Sequence, residues 1–245
     1  MRKLLIGATM GVVMLAVAAI AFATTTQTYK QSYTSKKKNT SVGTKFKTQS
    51  TEDQNAENNH QPKSTRQFDI TFPAGTKIDT KTVPGCTLDE SAAQPCPNNT
   101  KVGSGHAVVL LPFTTPPANA PINATVTAYN RKGTKGLILY VQPSVGNPVY
   151  LKPVFKGLKL KTAVPPTCIA STNQNGQCVT NTGGKGQEAV LTEFDLTTKA
   201  IKKGKRTFLK SPPNCPKSGK WKFAADIKYA DGTKKHLPAT SPCKK

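Results

Sequence analysis

The chain has few of the residue types on which most enzymes depend. Its 245 residues include 12 aspartates and glutamates, three histidines and one tryptophan, against 35 lysines and arginines. A Ser–His–Asp triad needs a histidine base, and a glycosidase needs two convergent carboxylates. The composition therefore favours a non-catalytic binding or structural protein, with an unrecognised extracellular hydrolase as the rival.

The three histidines offer one candidate for catalysis. His60 lies in a polar segment, and His236 follows two lysines. His106 ends the stretch Gly103-Ser104-Gly105-His106, which lacks the G-x-S-x-G spacing of a nucleophile between a strand and a helix. We interpret this stretch as a turn entering a strand and predict that His106 is structural.

One pair of carboxylates could also meet. Glu193 and Asp195 alternate along an apolar segment, so they would share one face of a strand. In so basic a protein, such a pair is more typical of ion pairs with neighbouring lysines. We therefore predict no catalytic residues.

Sites for cofactors, metals and nucleic acids are also missing from the pattern. Residues 183–186 (GGKG) lack the spacing of a phosphate-binding loop. No C-x-x-C motif with suitably spaced histidines indicates zinc. Stacking aromatics of the kind that bind nucleic acid do not cluster, and Trp221, Phe223 and Tyr229 share a parity that points them to a core. The sequence predicts no cofactor, no metal ligand and no specific nucleic acid partner.

The one long apolar run lies at the amino terminus. Arg2 and Lys3 precede it, it covers residues 4–22, and it ends on Ala21-Phe22-Ala23. This pattern is typical of a secretory signal peptide, cleaved before Thr24. An uncleaved membrane anchor is the alternative. No cysteine near the cleavage point indicates a lipoprotein, and we expect a secreted protein with no transmembrane segment after cleavage.

Charge of one sign dominates the mature chain. Loss of Arg2 and Lys3 leaves 33 basic and 12 acidic residues, a net charge of +21. Such an excess favours adhesion to polyanions. We expect a contact with anionic cell-wall polymer or polysaccharide; the alternative is that the lysines only keep the surface soluble.

All six cysteines follow residue 80, which fits an oxidising compartment. Six cysteines allow 15 pairings. Nine residues separate Cys86 from Cys96, and nine separate Cys168 from Cys178, with Cys215 and Cys243 further apart. The repeated spacing favours three disulfides between neighbours in sequence.

Composition divides the mature chain in two. Residues 24–66 are rich in Thr, Ser, Gln, Asn and Lys and have few large apolar side chains, so we predict a disordered basic spacer. Residues 67–245 show short alternating apolar segments and no helical stretch. They predict one antiparallel β-sandwich, immunoglobulin-like or similar, with a split near Lys161 left open. The predicted strands cover residues 67–72, 106–111, 122–129, 137–142, 149–160 (one strand or a bent pair around Pro153), 189–196, 207–209 and 221–229. Hairpin turns are predicted at residues 130–133 and 230–232, where glycine supplies a positive φ.

Two cysteine-framed elements look familiar. They are CPNNTKVGSG (residues 96–105) after Cys86, and LKSPPNC (209–215) followed by Trp221, YADG (229–232) and SPC (241–243). They resemble elements of uncharacterised secreted β-rich proteins of high-GC actinobacteria, over most of residues 67–243. The resemblance implies a secreted β-rich domain with pairs Cys86–Cys96 and Cys215–Cys243, and it brings no activity or catalytic residue. A carbohydrate-binding module is a further alternative, which exposed aromatics on one sheet face would favour.

Overall fold

The computed structural model describes residues 25–51, 62–89, 95–111, 120–166, 171–172, 178–179 and 188–244. Within them the chain is all-β: there are strands and two 3₁₀ turns, η1 (Thr80–Thr82) and η2 (Asn98–Thr100), but no α-helix. The predicted signal peptide lies outside the described residues.

Two antiparallel sheets carry the architecture. The larger has seven strands in the order β1-β2-β13-β5-β6-β7-β8, and the smaller has five in the order β18-β17-β3-β10-β9. The seven strands are β1 (Thr26–Tyr33), β2 (Thr44–Thr51), β5 (Lys101–Leu111), β6 (Ala120–Asn130), β7 (Leu137–Pro143), β8 (Val149–Leu151) and β13 (Val190–Thr198). The five are β3 (Thr65–Thr71), β9 (Val154–Lys156), β10 (Lys159–Ala163), β17 (Lys220–Tyr229) and β18 (Lys234–Pro242).

Three short two-stranded ladders complete the fold. They are β4 (Lys77–Ile78) with β16 (Leu209–Lys210), β11 (Ser171–Thr172) with β12 (Cys178–Val179), and β14 (Lys202–Lys203) with β15 (Arg206–Thr207). The strands of these ladders lie in the segments that connect the strands of the two main sheets.

The core lies between the two sheets and is rich in aromatic contacts. Tyr33 of the large sheet packs edge-on against Trp221 of the small sheet, with ring centroids 5.2 Å apart. Phe46 meets Phe68 in the same way at 5.4 Å. Such edge-to-face pairs add to the stabilisation that burial itself gives. The predicted sandwich is therefore confirmed, and so is the prediction that Trp221 faces the core.

The prediction of a disordered spacer over residues 24–66 is wrong for the part that the structure describes. β1 and β2 form a hairpin at one side of the large sheet, and β3 begins at Thr65. Tyr29, Tyr33 and Phe46 alternate with polar residues and are at most 8% exposed. These three aromatic side chains lie on the inward faces of β1 and β2. The free energy gained by burying them in the core outweighs the polar composition of the segment.

Most of the other predicted strands are confirmed; the exceptions are residues 149–160, residues 207–209, which divide between β15 and β16, and β18. Residues 149–160 form three short strands instead of one or two, because the chain turns from one sheet to the other near Pro153. β18 was missed, since lysine, histidine and proline interrupt its apolar alternation. Both halves of the chain contribute strands to both main sheets, so there is no division near Lys161.

Two of the three predicted disulfides are confirmed. Cys86 is bonded to Cys96, and Cys215 to Cys243. The predicted Cys168–Cys178 pair is not tested, because Cys168 lies outside the described residues. The predicted hairpin turns after β6 and β17 are present, with Gly133 and Gly232 at φ of 76° and 84°.

Candidate functional site

Antiparallel strands alternate in direction, so their connections fall at two opposite ends of the sandwich. One end gathers the β1–β2 turn (34–43), the segment after β3 (72–89), the β6–β7 turn (131–136), the β9–β10 turn (157–158), the segment 199–220 and residues 243–244. We call it the basic end, because most of these connections carry lysine or arginine.

The β1–β2 turn places three lysines in a row at this end. Lys36, Lys37 and Lys38 are all exposed. Their backbone is held from behind: the Lys244 amide donates to the Lys36 carbonyl over 2.8 Å, and the Ser211 hydroxyl donates to the Lys37 carbonyl, also over 2.8 Å. The turn is thus a fixed part of the fold, and its ammonium groups face solvent.

The β14–β15 hairpin adds a second group of cations. Lys202, Lys203 and Lys205 are exposed on a tight turn. The neighbouring Lys210 bridges to Ser41 of the β1–β2 turn. The two lysine-bearing turns therefore lie side by side.

Further basic residues surround these two turns, and few carboxylates oppose them. The other lysines and arginines in the connections at this end are Lys77, Lys81, Arg131, Lys132, Lys135, Lys199, Arg206, Lys217 and Lys244. Among the described residues of the same connections, Asp79 and Asp89 are the acids. Arg206 donates two 2.8 Å hydrogen bonds to the carboxylate of Asp79. These bonds lower the pKa of Asp79 and stabilise its charged form.

The opposite end is electrically different over the part that the structure describes. There Lys63 pairs with Asp231 at 2.7 Å, and Arg66 pairs with Glu188. The Lys63 ammonium, helped by the Thr233 hydroxyl, lowers the pKa of Asp231 to about 2. Each of these acids has a basic partner, so their charges are compensated locally.

A second polar cluster lies on the outer face of the large sheet. Asp195 of β13 is the register partner of His106 of β5, and Glu193 lies two residues away on the same face. The ligand atoms of His106, Glu193 and Asp195 all lie within 4.8 Å of one another. The shared face of the two acids is confirmed, but β5 begins at Lys101, so the stretch before His106 belongs to the strand and is not a turn.

Gly105 explains why a turn was predicted where a strand continues. A Cβ on this residue would lie 2.0 Å from the Asp195 carbonyl oxygen. The glycine here serves the close approach of β5 to β13, not a turn. That approach is what places His106 beside the two acids.

Two residues of β2 hold Glu193 in its position. Lys47 donates to Oε1 and Gln49 donates to Oε2, each over 2.7 Å. These two hydrogen bonds, Lys47 first, lower the pKa of Glu193. A carboxylate stabilised in its charged form does not suit the role of general acid, which needs a raised pKa. The arrangement can bind a cation or an ion-pair partner more readily than it can donate a proton.

The outer face of the small sheet carries a simpler pair. His236 of β18 is hydrogen-bonded through Nδ1 to Asp226 at 2.7 Å, and Lys159 contacts the other carboxylate oxygen at 2.9 Å. These contacts, His236 first, lower the pKa of Asp226.

The aromatic residues divide between the core and one outer patch. Trp221, Phe223 and Tyr229 are at most 4% exposed between the sheets, as their parity predicts. Tyr140 and Tyr150 lie instead on the outer face of the large sheet, partly buried, with centroids 5.5 Å apart and planes at 31°. They pack against Tyr129, Ile138 and the Cys86–Cys96 disulfide. This pair was not predicted from the sequence, because it depends on the register of the consecutive strands β7 and β8: Tyr140 and Tyr150 are register partners.

No protein-family model, curated protein or solved structure matches this chain. Over the described ranges, no helix is long and apolar enough to cross a membrane. The functional argument therefore rests on the charges and contacts of the chain itself.

Proposed function

We propose that this is a secreted, non-catalytic protein that binds anionic cell-wall polymer through the basic end of its sandwich. The observation that carries the proposal is the unequal placement of charge. Lysines and arginines in the connections at one end far outnumber the two described acids there, whereas Lys63 and Arg66 at the other end each pair with an acid. A solubilising surface would have no need of such an asymmetry.

The chemistry of the basic end suits a flexible polyanion. Exposed ammonium groups are strongly hydrated point charges on long stems, and they make no fixed geometric demand on a ligand. Many of them acting together concentrate a negative polymer near the surface and steer its approach. The contact we expect is strong at low salt and weakly selective among phosphate-rich and carboxylate-rich polymers.

Salt dependence tests the electrostatic character of the contact. Charge–charge attraction is screened over about 10 Å at 0.1 M salt and about 3 Å at 1 M. Retention of the mature protein on purified anionic wall polymer should be clear at 0.05 M salt and nearly lost at 1 M. Equal retention at both concentrations would overturn the proposal.

A matched pair of variants tests the location. K202Q/K203Q/K205Q removes three exposed charges from the basic end, and K161Q/K228Q/K234Q removes three exposed charges from the small sheet and its far hairpin. Both variants lose the same net charge. We expect the first to elute at clearly lower salt than the second; equal elution would mean that total charge, not the basic end, governs binding.

Secretion has its own measurement. Both described disulfides fit an oxidising compartment. Amino-terminal sequencing of protein from culture medium should begin at Thr24. A mature chain that still contains Leu4 would contradict signal cleavage.

A carbohydrate-binding face is a second candidate, supported by the Tyr140–Tyr150 pair. Partly exposed aromatic rings on a sheet edge offer apolar surface to a sugar ring, and Gln142 accepts a 2.6 Å hydrogen bond from the Tyr140 hydroxyl beside it. Binding through this face would persist at 1 M salt and yield to a free sugar. The variant Y150A would then abolish it, while K202Q/K203Q/K205Q would not.

A further inference from the structure

We infer that His106, Glu193 and Asp195 form a binding site for a divalent transition-metal cation, with zinc as the best match. The inference is independent of the basic end, since the three residues lie on the outer face of the large sheet. The sequence predicted no metal ligands, because the three positions belong to two segments more than eighty residues apart.

The first argument is geometry. Two acids at alternate positions of β13 point to the same side, and His106 faces Asp195 across the ladder to β5. Their ligand atoms already lie within 4.8 Å of one another. Ligands bound to zinc at 2.0–2.2 Å stand about 3.4 Å apart in a tetrahedral arrangement. Side-chain rotations that move the ligand atoms by about an ångström would close that difference without moving the strands.

The second argument is the donor set. One imidazole nitrogen and two carboxylate oxygens form a mixed set that suits zinc and its first-row neighbours. Calcium prefers six to eight oxygen ligands, and magnesium keeps most of its water. Three protein ligands on an open sheet face would leave at least one coordination position to water, as in zinc sites with three protein ligands.

The residues around the cluster act in opposite directions. Gln49 donates to Oε2 of Glu193 and fixes the carboxylate, as outer partners of metal ligands commonly do. Lys47 donates to Oε1 and places a positive charge beside the site. The Lys47 ammonium therefore competes with a cation for Glu193, and its removal should strengthen metal binding.

The small sheet provides a matched control. His236 and Asp226 form a histidine–carboxylate pair, with Lys159 in place of a second acid. If a surface histidine next to one acid were enough to hold zinc, this pair would bind as well as the cluster on the large sheet. The inference requires that it does not.

The experiment is a titration of the mature, disulfide-bonded protein with zinc chloride by calorimetry, after treatment with a chelator. We expect one equivalent to bind. H106A and D195N should each weaken that binding at least tenfold, K47M should tighten it, and H236A should leave it unchanged. Far-ultraviolet circular dichroism checks that each variant retains the wild-type fold.

Several results would overturn the inference. They are no binding of zinc, equal loss in H106A and H236A, weaker binding in K47M, and tighter binding of calcium or magnesium than of zinc. Because K47M is expected to gain affinity, a general loss of folding among the variants cannot imitate the predicted pattern.

Discussion

The two ends of the sandwich differ in how the charge of their basic residues is compensated. At the opposite end, Lys63 meets Asp231 and Arg66 meets Glu188, so charges cancel within a few ångströms. At the basic end, lysines crowd together, and both disulfides that the structure describes lie there. Mutual repulsion is offset by covalent links and by backbone hydrogen bonds.

This difference indicates that the charge distribution that would be best for stability is not the one that would be best for binding a polyanion. Pairing every lysine at the basic end would stabilise the fold but would remove the excess positive charge that we propose attracts a polyanion. The disulfides offset part of the repulsion among these lysines, because they restrict the unfolded chain and need no opposite charge. Removing the β1–β2 hairpin, the disulfides and the ion pairs one at a time should show how much each contributes to the stability of its end of the sandwich.

The largest effect is expected from deleting residues 25–51, which carry the β1–β2 hairpin. The deletion removes Tyr29, Tyr33 and Phe46 from the core and exposes the edge of β13. The protein should lose its cooperative unfolding transition in circular dichroism. K36Q/K37Q/K38Q, which changes the turn alone, should keep that transition. A truncated chain that unfolded cooperatively would restore the idea of a detachable spacer.

Removal of the Cys215–Cys243 disulfide should come next. The chain-entropy estimate for a ring of this size is about 3–4 kcal/mol, and the smaller Cys86–Cys96 ring should cost about 1 kcal/mol less. C215S/C243S and C86S/C96S can be compared by denaturant unfolding. Repulsion between lysines makes the cross-linked unfolded chain less favourable at low salt, so the loss in C215S/C243S should be greater at about 0.02 M salt than at about 0.5 M. A loss independent of salt would separate the disulfide from the charge of the basic end.

The Asp79–Arg206 pair should give a smaller and asymmetric effect. D79N removes a negative charge from the basic end and R206M removes a positive one, yet both break the same ion pair. D79N should therefore lower the thermal midpoint more than R206M does. Differential scanning calorimetry at low salt measures the two shifts. Equal shifts would show that the pair matters and the surrounding field does not.

Acid should produce the smallest effect. The pKa of Asp231 is lowered to about 2 in the folded protein, against about 4 in the unfolded chain. A lowered folded pKa contributes stability above pH 4 that is lost as the pH falls toward 2. Since Asp231 is largely exposed, D231N should reduce this acid dependence only slightly. Unfolding curves between pH 2 and pH 6 provide the measurement, and an unchanged slope in D231N would contradict the assignment.

Much of the fold could be predicted from local patterns. Period-two alternation identified β3, β6 and β17. A strand with one buried face alternates apolar and polar residues whatever its neighbours are. The repeated cysteine spacing favoured pairing between neighbours in sequence, which is confirmed for Cys86–Cys96 and Cys215–Cys243. Reasoning from composition failed at residues 24–66, because it gave too little weight to the buried aromatic side chains Tyr29, Tyr33 and Phe46.

The candidate sites show the boundary between sequence and tertiary structure more sharply. The amino-acid sequence by itself determined the excess of positive charge, the β-rich class and the shared face of Glu193 and Asp195. Only the tertiary structure decided that the lysines of separate connections gather at one end, and that His106 joins the two acids. Strand order and register bring these residues together, and both depend on contacts between segments far apart in the chain, which no local pattern records.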